Sequence, residues 1–445
     1  MMPAASHSLP RELWSPWAGR APSARTPTVI RRPIPTLVRW SALALAGSLP
    51  FEAADLGFTS SSFSFAKISG LLFIASYFFF YNPLSGKRSF PVCNLPLRYF
   101  LTYLLICLVH GLFVDSVYWG QYVSVISTTG QLLLLFWTTS SLLQNHQLAR
   151  RFVLVYAVSA ALLASAVLLE LPGFTVAIEG RLGERITSLN YNPNFLAFSM
   201  ALAALIVAGL ALDGSIRQLY RKWLLLSAIL PLLTIIVRTG SRAGLVGFAL
   251  AFGVYFLPSR ARRQGKTLAL LAIAVVAFTG AMIAIHPTIL TRFEESYAGN
   301  IVNRRQINQA SLSMVLERPL IGWHPVALWD ELGRRTGELW GTKDAHNSFF
   351  YLLLEVGIIG ALPYFIGIYL CLKSAWRGRD GPLGRLPLAL LVCVLSANLA
   401  HTYLTRKPQW LVLALAAAVG SAAVQREKNQ TLLRRERTLA HERVS

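Results

Sequence analysis

The chain has 445 residues, of which 54% are hydrophobic and only 14% charged, against roughly a quarter charged in an average soluble domain. That composition excludes an ordinary soluble enzyme, and continuous apolar runs of about 20 residues exclude an alternating membrane β-barrel. Its 42 basic residues against 20 acidic ones give a net charge of +22, an excess that attraction to anionic lipid explains without invoking nucleic acid.

Residues 1–36 are rich in Pro, Ser and Arg without hydrophobic periodicity, which predicts a disordered basic arm. The apolar runs that follow predict about twelve membrane helices, near 37–54, 61–81, 97–114, 119–143, 152–171, 191–212, 222–238, 243–258, 267–286, 346–372, 386–403 and 409–424. The first is interrupted by Arg39 and Pro50, and its core Ser41–Leu49 is too short and broken for a signal peptide. The expected fold class is therefore an all-α polytopic membrane protein. Helices one to nine lie in 37–286, a large loop with short helices in 287–345, helices ten to twelve in 346–424, and a basic tail in 425–445.

Charge sets the expected orientation. With the N-terminus in the cytoplasm, Arg150/Arg151, Arg260/Arg262/Arg263 and Arg434/Arg435 fall on the inner side, the positive-inside pattern. Both termini are then cytoplasmic and the 287–345 loop is external. None of Cys93, Cys107, Cys371 and Cys393 falls in an external loop, so no disulfide framework is expected.

Two external loops stand out. The 172–190 loop leads into Asn190-Tyr191-Asn192-Pro193-Asn194, turn chemistry that starts the next helix. In the large loop Ile307, Ala310, Met314 and Val315 recur at helical spacing until Pro319, which predicts an amphipathic helix. Trp323, Trp329 and Trp340 follow, residues suited to a membrane–water interface.

External arginines group as Arg181/Arg185, Arg238/Arg242 and Arg304/Arg305, with Arg292 upstream. Guanidinium groups bind phosphate oxygens through paired planar hydrogen bonds and so suit a diphosphate. Two readings stand for each: a ligand for an anion, or a partner of a nearby acid such as Glu184, Glu294 or Glu295. His346 opens a membrane helix on the external side, where its imidazole can act as a base or serve, with Asp344 or Asn347, to satisfy the helix's first backbone donors. His324 is a weaker candidate, while His286 and His401 read as helix-end residues. Glu355, nearly alone as an acid inside the membrane, marks either function or a bond to a neighbouring helix. No external Asp-x-Asp or histidine–carboxylate cluster offers a metal site, no carboxylate pair suits glycoside hydrolysis, and there is no P-loop.

His346-Asn347, nine residues, then Gly357-Ile358-Ile359-Gly360 resembles the His-[Asn/Ser/Gln]-x9-Gly-x-x-[Gly/Thr/Tyr] signature of the O-antigen ligases. Glu317-Arg318-Pro319-Leu320-Ile321-Gly322-Trp323 resembles the turn that precedes it in the wider O-antigen ligase/polymerase superfamily. The resemblance implies a GT-C-like, metal-independent glycosyltransferase of the bacterial inner membrane that needs no cofactor. It also implies a donor glycan on undecaprenyl diphosphate and an acceptor, the lipid A–core oligosaccharide, in the periplasmic leaflet. His346 matches the family's essential histidine, with Asn347 and Trp323 in support. Arginines of the periplasmic loops match its phosphate-binding role, here Arg181, Arg185, Arg238, Arg242, Arg304 and Arg305. The family's Arg-x3-Leu element occurs at Arg335–Leu339, beside His346, and again in a different loop at Arg185–Leu189. An O-antigen polymerase or a protein O-oligosaccharyltransferase would share these residues. A lipid-linked glycan transporter would instead need charge along its helices and matching repeats, and neither is visible.

Overall fold

The structure is a computed structural model and describes residues 34–53, 64–81, 94–178, 185–189, 191–212, 219–257, 265–286, 288–294, 300–337 and 343–442. The basic arm before residue 34, Cys93, Arg181 and Trp340 lie outside the described residues. From Pro35 onward the chain forms one compact unit. Its helices are α1 (Thr36–Ser48), α2 (Phe65–Tyr81), α3 (Asn94–Gly111), α4 (Trp119–Leu142), α5 (His146–Leu168), α6 (Pro193–Ala211), α7 (Leu219–Ser227), α8 (Ile229–Arg238) and α9 (Arg242–Gly253). They continue with α10 (Gly265–Ile285), α11 (Thr288–Glu294), α12 (Asn300–Glu317), α13 (Ala327–Arg335), α14 (Ser348–Arg377), α15 (Leu386–Ala400) and α16 (Lys407–Glu442). One antiparallel hairpin, β1 (Val176–Ile178) and β2 (Arg185–Thr187), pairs Val176 with Thr187.

Each predicted apolar run carries helix, with two departures. The 222–238 run is two helices, α7 and α8, and α16 continues well past its apolar part to Glu442. Among the described residues five helices are both long and apolar enough to cross a membrane: His146–Leu168, Pro193–Ala211, Gly265–Ile285, Ser348–Asp380 and Lys407–Val424. Phe65–Tyr81, Leu95–Gly111, Arg242–Phe256 and Leu386–Ala400 are apolar but shorter. Because α6 is apolar on every side, it can be buried on every side; it packs against α5, α8, α9 and α15. A second group joins α3, α4, α14 and α16. At its centre the Phe100 ring meets Phe136, Tyr364 and Trp410 at 5.4, 5.3 and 5.2 Å between centroids. Edge-on aromatic pairs of this kind contribute about 0.5–1.5 kcal/mol each beyond burial.

The joint that positions the segment between α10 and α14 is a break in α14. At Gly357 the backbone takes φ 61° and ψ −168°, a region open essentially to glycine alone. In an unbroken helix the Ile358 amide would donate to the Leu354 carbonyl. Here the Ile358 amide donates to the Pro319 carbonyl at 2.8 Å, and the Leu354 carbonyl accepts from the Trp323 amide at 2.6 Å. The Ile359 amide likewise donates to Leu320 at 3.2 Å, and the imidazole of His110 reaches the Glu355 backbone. Four backbone groups at the break thus find partners outside α14, three in the segment 319–323 and one on α3.

Gly322, itself at φ 71°, lies so close that a Cβ there would stand 2.6 Å from the Leu354 carbonyl oxygen. Beside the break, Glu355 is 1% exposed. Its carboxyl accepts from Tyr103 of α3 at 2.6 Å and from Tyr351 at 3.5 Å, a structural bond to the neighbouring helix.

The external segment is itself helical. In α12 the inward stripe is Ile307, Ser311 and Met314, all buried. Ala310 and Val315, predicted to face inward, sit only at its edges, while Leu312 and Leu316 are exposed. The Trp323 indole donates to the Met314 carbonyl at 2.8 Å, and the Arg318 guanidinium lies 4.2 Å above its ring. Arg335 of α13 ties α13 back to α12 through Glu317 and to its own helix through Glu331.

Gly357→Ala is expected to lower the thermal unfolding midpoint in detergent, at a cost on the order of 2–4 kcal/mol, because its Cβ meets Leu320 backbone. Leu320→Ala, which trims an exposed side chain, is expected to stay within about 0.5 kcal/mol of the parent. Equal midpoints for the two variants would contradict this account of the joint.

Candidate active site

The site is built where the external segment becomes α14. Asn347 adopts an extended backbone and caps the helix, its Oδ1 accepting from the amides of Phe349 and Phe350 at 2.9 and 3.2 Å. The capping role is therefore taken, and His346 is left for other work. Ser348 stitches this corner to the turn after α15, donating to the His401 carbonyl at 3.0 Å and accepting from the Tyr403 amide at 2.9 Å. His346 sits at φ 50°, a left-handed conformation that costs a non-glycine residue on the order of 1 kcal/mol. Its side chain keeps 42% exposure, enough to meet a substrate. Nδ1 lies 3.1 Å from Asp344 Oδ2, and the Thr402 hydroxyl donates to Asp344 Oδ1 at 2.7 Å. Burial alone would raise the Asp344 carboxyl, but the hydrogen bonds from His346 and Thr402 outweigh it and hold the group below its usual range.

His401 packs edge-on against His346, with ring centroids 6.2 Å apart, and against Phe195 at 5.6 Å. It is 5% exposed, and its Nε2 has no hydrogen-bond partner. Burial first, and then the charges of Arg304 and His346, lower it to about 3, with Arg185 adding to the effect and Asp344 opposing it. This imidazole is neutral at any physiological pH, and its surroundings reveal which groups converge.

Arg185, on β2, donates through Nε to the Thr239 carbonyl at 2.8 Å and through Nη2 to Asn194 at 3.3 Å. It thereby links the hairpin to the α8–α9 turn and to the start of α6. In that turn Ser241 caps α9 by accepting from the Gly244 amide at 3.1 Å, which sets Arg242 at the first helical position. Arg304 reaches the same place from α12. Desolvation and then the charge of Arg242 lower its guanidinium; since Arg304 is exposed to solvent, the informative part is the nearby like charge. Arg185 and Arg304 thus lie within electrostatic reach of His401, which packs against His346, and Arg242 lies within reach of Arg304, all from separate segments of the chain.

The remaining predicted residues stand elsewhere. Arg238 ends α8, half-buried, where a cation complements the helix C-terminus. Arg305 is exposed, and as the sequence neighbour of Arg304 it faces a different direction on α12. Trp323 supports the fold of the external segment. His324 lies edge-on to His110 at 5.3 Å, in the group around the helix break. Of the two Arg-x3-Leu elements, Arg335 is committed to Glu317 and Glu331, whereas Arg185 reaches the site. The roles of Asp344, Thr402 and His401 were missed by sequence reasoning. Only the Asp-x-His spacing signalled the first.

Residues 226–365 match a family model described as O-Antigen ligase. By that match the segment is similar to the O-antigen ligase family. It covers just under a third of the chain and holds Arg242, Arg304, His346 and Gly357. The other parts of the site, Arg185, His401 and Thr402, come from outside the O-antigen ligase segment. No curated protein matches the chain.

Acidification should report on His401. An imidazole in the unfolded chain takes up its proton near the ordinary value, while His401 in the fold does so only near 3. Between those values the unfolded state binds more protons, so stability is full above the ordinary imidazole range and falls as pH drops toward 3. The expected loss is on the order of 3 kcal/mol between about pH 7 and about pH 4. His401→Phe should flatten the fall in melting temperature without abolishing it, since Asp344 loses its ionised form on the same side. An unchanged slope would remove His401 as the cause.

Proposed function

We propose that this protein is a membrane glycosyltransferase that transfers O-antigen polysaccharide from undecaprenyl diphosphate to the lipid A–core oligosaccharide in lipopolysaccharide biosynthesis. The observation that supports this reading is the gathering of Arg185 and Arg304 about His401, with Arg242 close to Arg304, where His401 packs against the open His346 ring before α14. A cluster of guanidinium groups suits a diphosphate, and a histidine with an open ring edge suits a hydroxyl nucleophile.

In the proposed reaction the arginines bind the donor diphosphate at the membrane surface. His346 Nε2 takes the proton from an acceptor sugar hydroxyl. The oxygen attacks C1 of the donor sugar from the face opposite the diphosphate, and the C1–O bond breaks with its electron pair leaving on the diphosphate. Inversion at C1 follows from that geometry. Guanidinium groups that meet the growing negative charge lower the barrier, each on the order of 3 kcal/mol by analogy with oxyanion donors. Holding two lipid-borne substrates together supplies a further large part of the rate. On this reading the chain is a multi-pass inner-membrane protein with cytoplasmic termini, and the 287–345 segment is a periplasmic lid.

His346→Ala, present at normal level, is expected to lose transfer by at least about 10²-fold. Arg304→Ala and Arg185→Ala are expected to raise the KM for donor as well as lower kcat. Purified protein given lipid-linked donor and lipid A–core should yield the joined product. Elongated donor alone would reassign the chain to polymerisation, and full activity in His346→Ala would defeat the mechanism.

A further inference from the structure

A general base in this corner faces an electrostatic difficulty. The charged groups within electrostatic reach of His401, the neutral imidazole that packs against His346, are Arg304 from α12, Arg185 from β2 and Asp344 from the segment before α14, with Arg242 of α9 close to Arg304. The arginines suit the diphosphate, but they oppose the imidazolium that His346 must become on taking a proton. Among these groups Asp344 alone favours it.

Its geometry fits that task. Oδ2 lies 3.1 Å from His346 Nδ1, the nitrogen that points away from any role toward substrate when Nε2 is the base. Oδ1 is held by the Thr402 hydroxyl at 2.7 Å, so the carboxylate is gripped from a separate element and cannot swing away. The plain alternative, that Asp344 caps α14, is excluded because Asn347 fills that position.

We propose that Asp344, anchored by Thr402, is the positioning residue that keeps the proton of neutral His346 on Nδ1 and stabilises its imidazolium against Arg185 and Arg304. This rests on His346 being the base of the transfer. The acceptor proton moves to Nε2, the Nδ1 proton stays on Nδ1 in its hydrogen bond to Asp344, and the carboxylate is never protonated. Without Asp344 the imidazole is free to turn over and to carry its proton on Nε2, the tautomer that cannot accept.

The test uses the full chain in detergent or nanodiscs, with lipid diphosphate-linked glycan as donor and lipid A–core as acceptor, over about pH 5 to 9. Asp344→Asn is expected to lower the kcat plateau by about 10²-fold or more with little change in donor KM. The acid limb of the profile should also move to lower pH, because removing a carboxylate charge 3.1 Å from Nδ1 disfavours the imidazolium. Asp344→Glu should recover part of both. An unchanged plateau and limb in Asp344→Asn would overturn the proposal. So would an equal plateau loss in the Asn and Glu variants with the limb unmoved, which is the signature of packing alone.

If Asp344→Asn does not accumulate in membranes, Thr402→Val decides: several-fold lower kcat at unchanged donor KM supports the anchor, and wild-type kcat overturns it. His346→Ala in the same assay separates the two levels of argument. An inactive His346→Ala beside a wild-type-like Asp344→Asn defeats only the positioning role, while an active His346→Ala defeats the base and the positioning role together.

Discussion

The arrangement depends on an exchange of backbone hydrogen bonds at the middle of α14. A membrane helix cannot leave amides and carbonyls unpaired in a medium without water, so a break survives only where other groups take over each bond. The segment 319–323 does this for Leu354, Ile358 and Ile359, and His110 serves Glu355. The consequence reaches beyond the joint. Because the segment 319–323 is bonded into α14, α12 is held against the same helix, and Arg304 is carried toward His401.

Around that joint the site gathers charge of one sign. Arg185 and Arg304 approach His401, Arg242 stands close to Arg304, and Asp344 supplies a carboxylate beside His346. Crowding like charges works against stability, and the fold manages it in two ways. His401 is kept neutral by burial, so it adds bulk and aromatic packing without adding charge. Asp344 is kept ionised by its two hydrogen bonds, so it adds the opposite charge where it has most effect. An anionic ligand would relieve the remaining imbalance, so that its binding and local stabilisation would be the same event.

Much of the scaffold was legible from hydrophobic runs, since apolar length is the strongest signal a membrane chain carries. His346 was legible as the polar residue at the seam between loop and helix, and the arginines as groups of a suitable chemistry. Their convergence was not, because β2, the α8–α9 turn and α12 are far apart in sequence and meet only through tertiary packing. The break at Gly357 was hidden for another reason. Residues 346–372 read as one apolar helix, and the segment that replaces its bonds lies more than twenty residues earlier in the chain. Asp344 sits only two residues from His346, yet whether they face each other depends on the left-handed backbone at His346, which no propensity predicts. In α12 the buried position falls on Ser311 rather than on its apolar neighbours, so a count of hydrophobic residues shifts the stripe by one.

The joint at Gly357 is made of amides and carbonyls, and the side chains of Leu320 and Ile321 project from it into the open. A connection specified by main chain and by glycine leaves those outer positions free to change without loosening the hinge. Sequence variation at that outer surface and the fixed path of the main chain are separated by the thickness of a single strand of backbone.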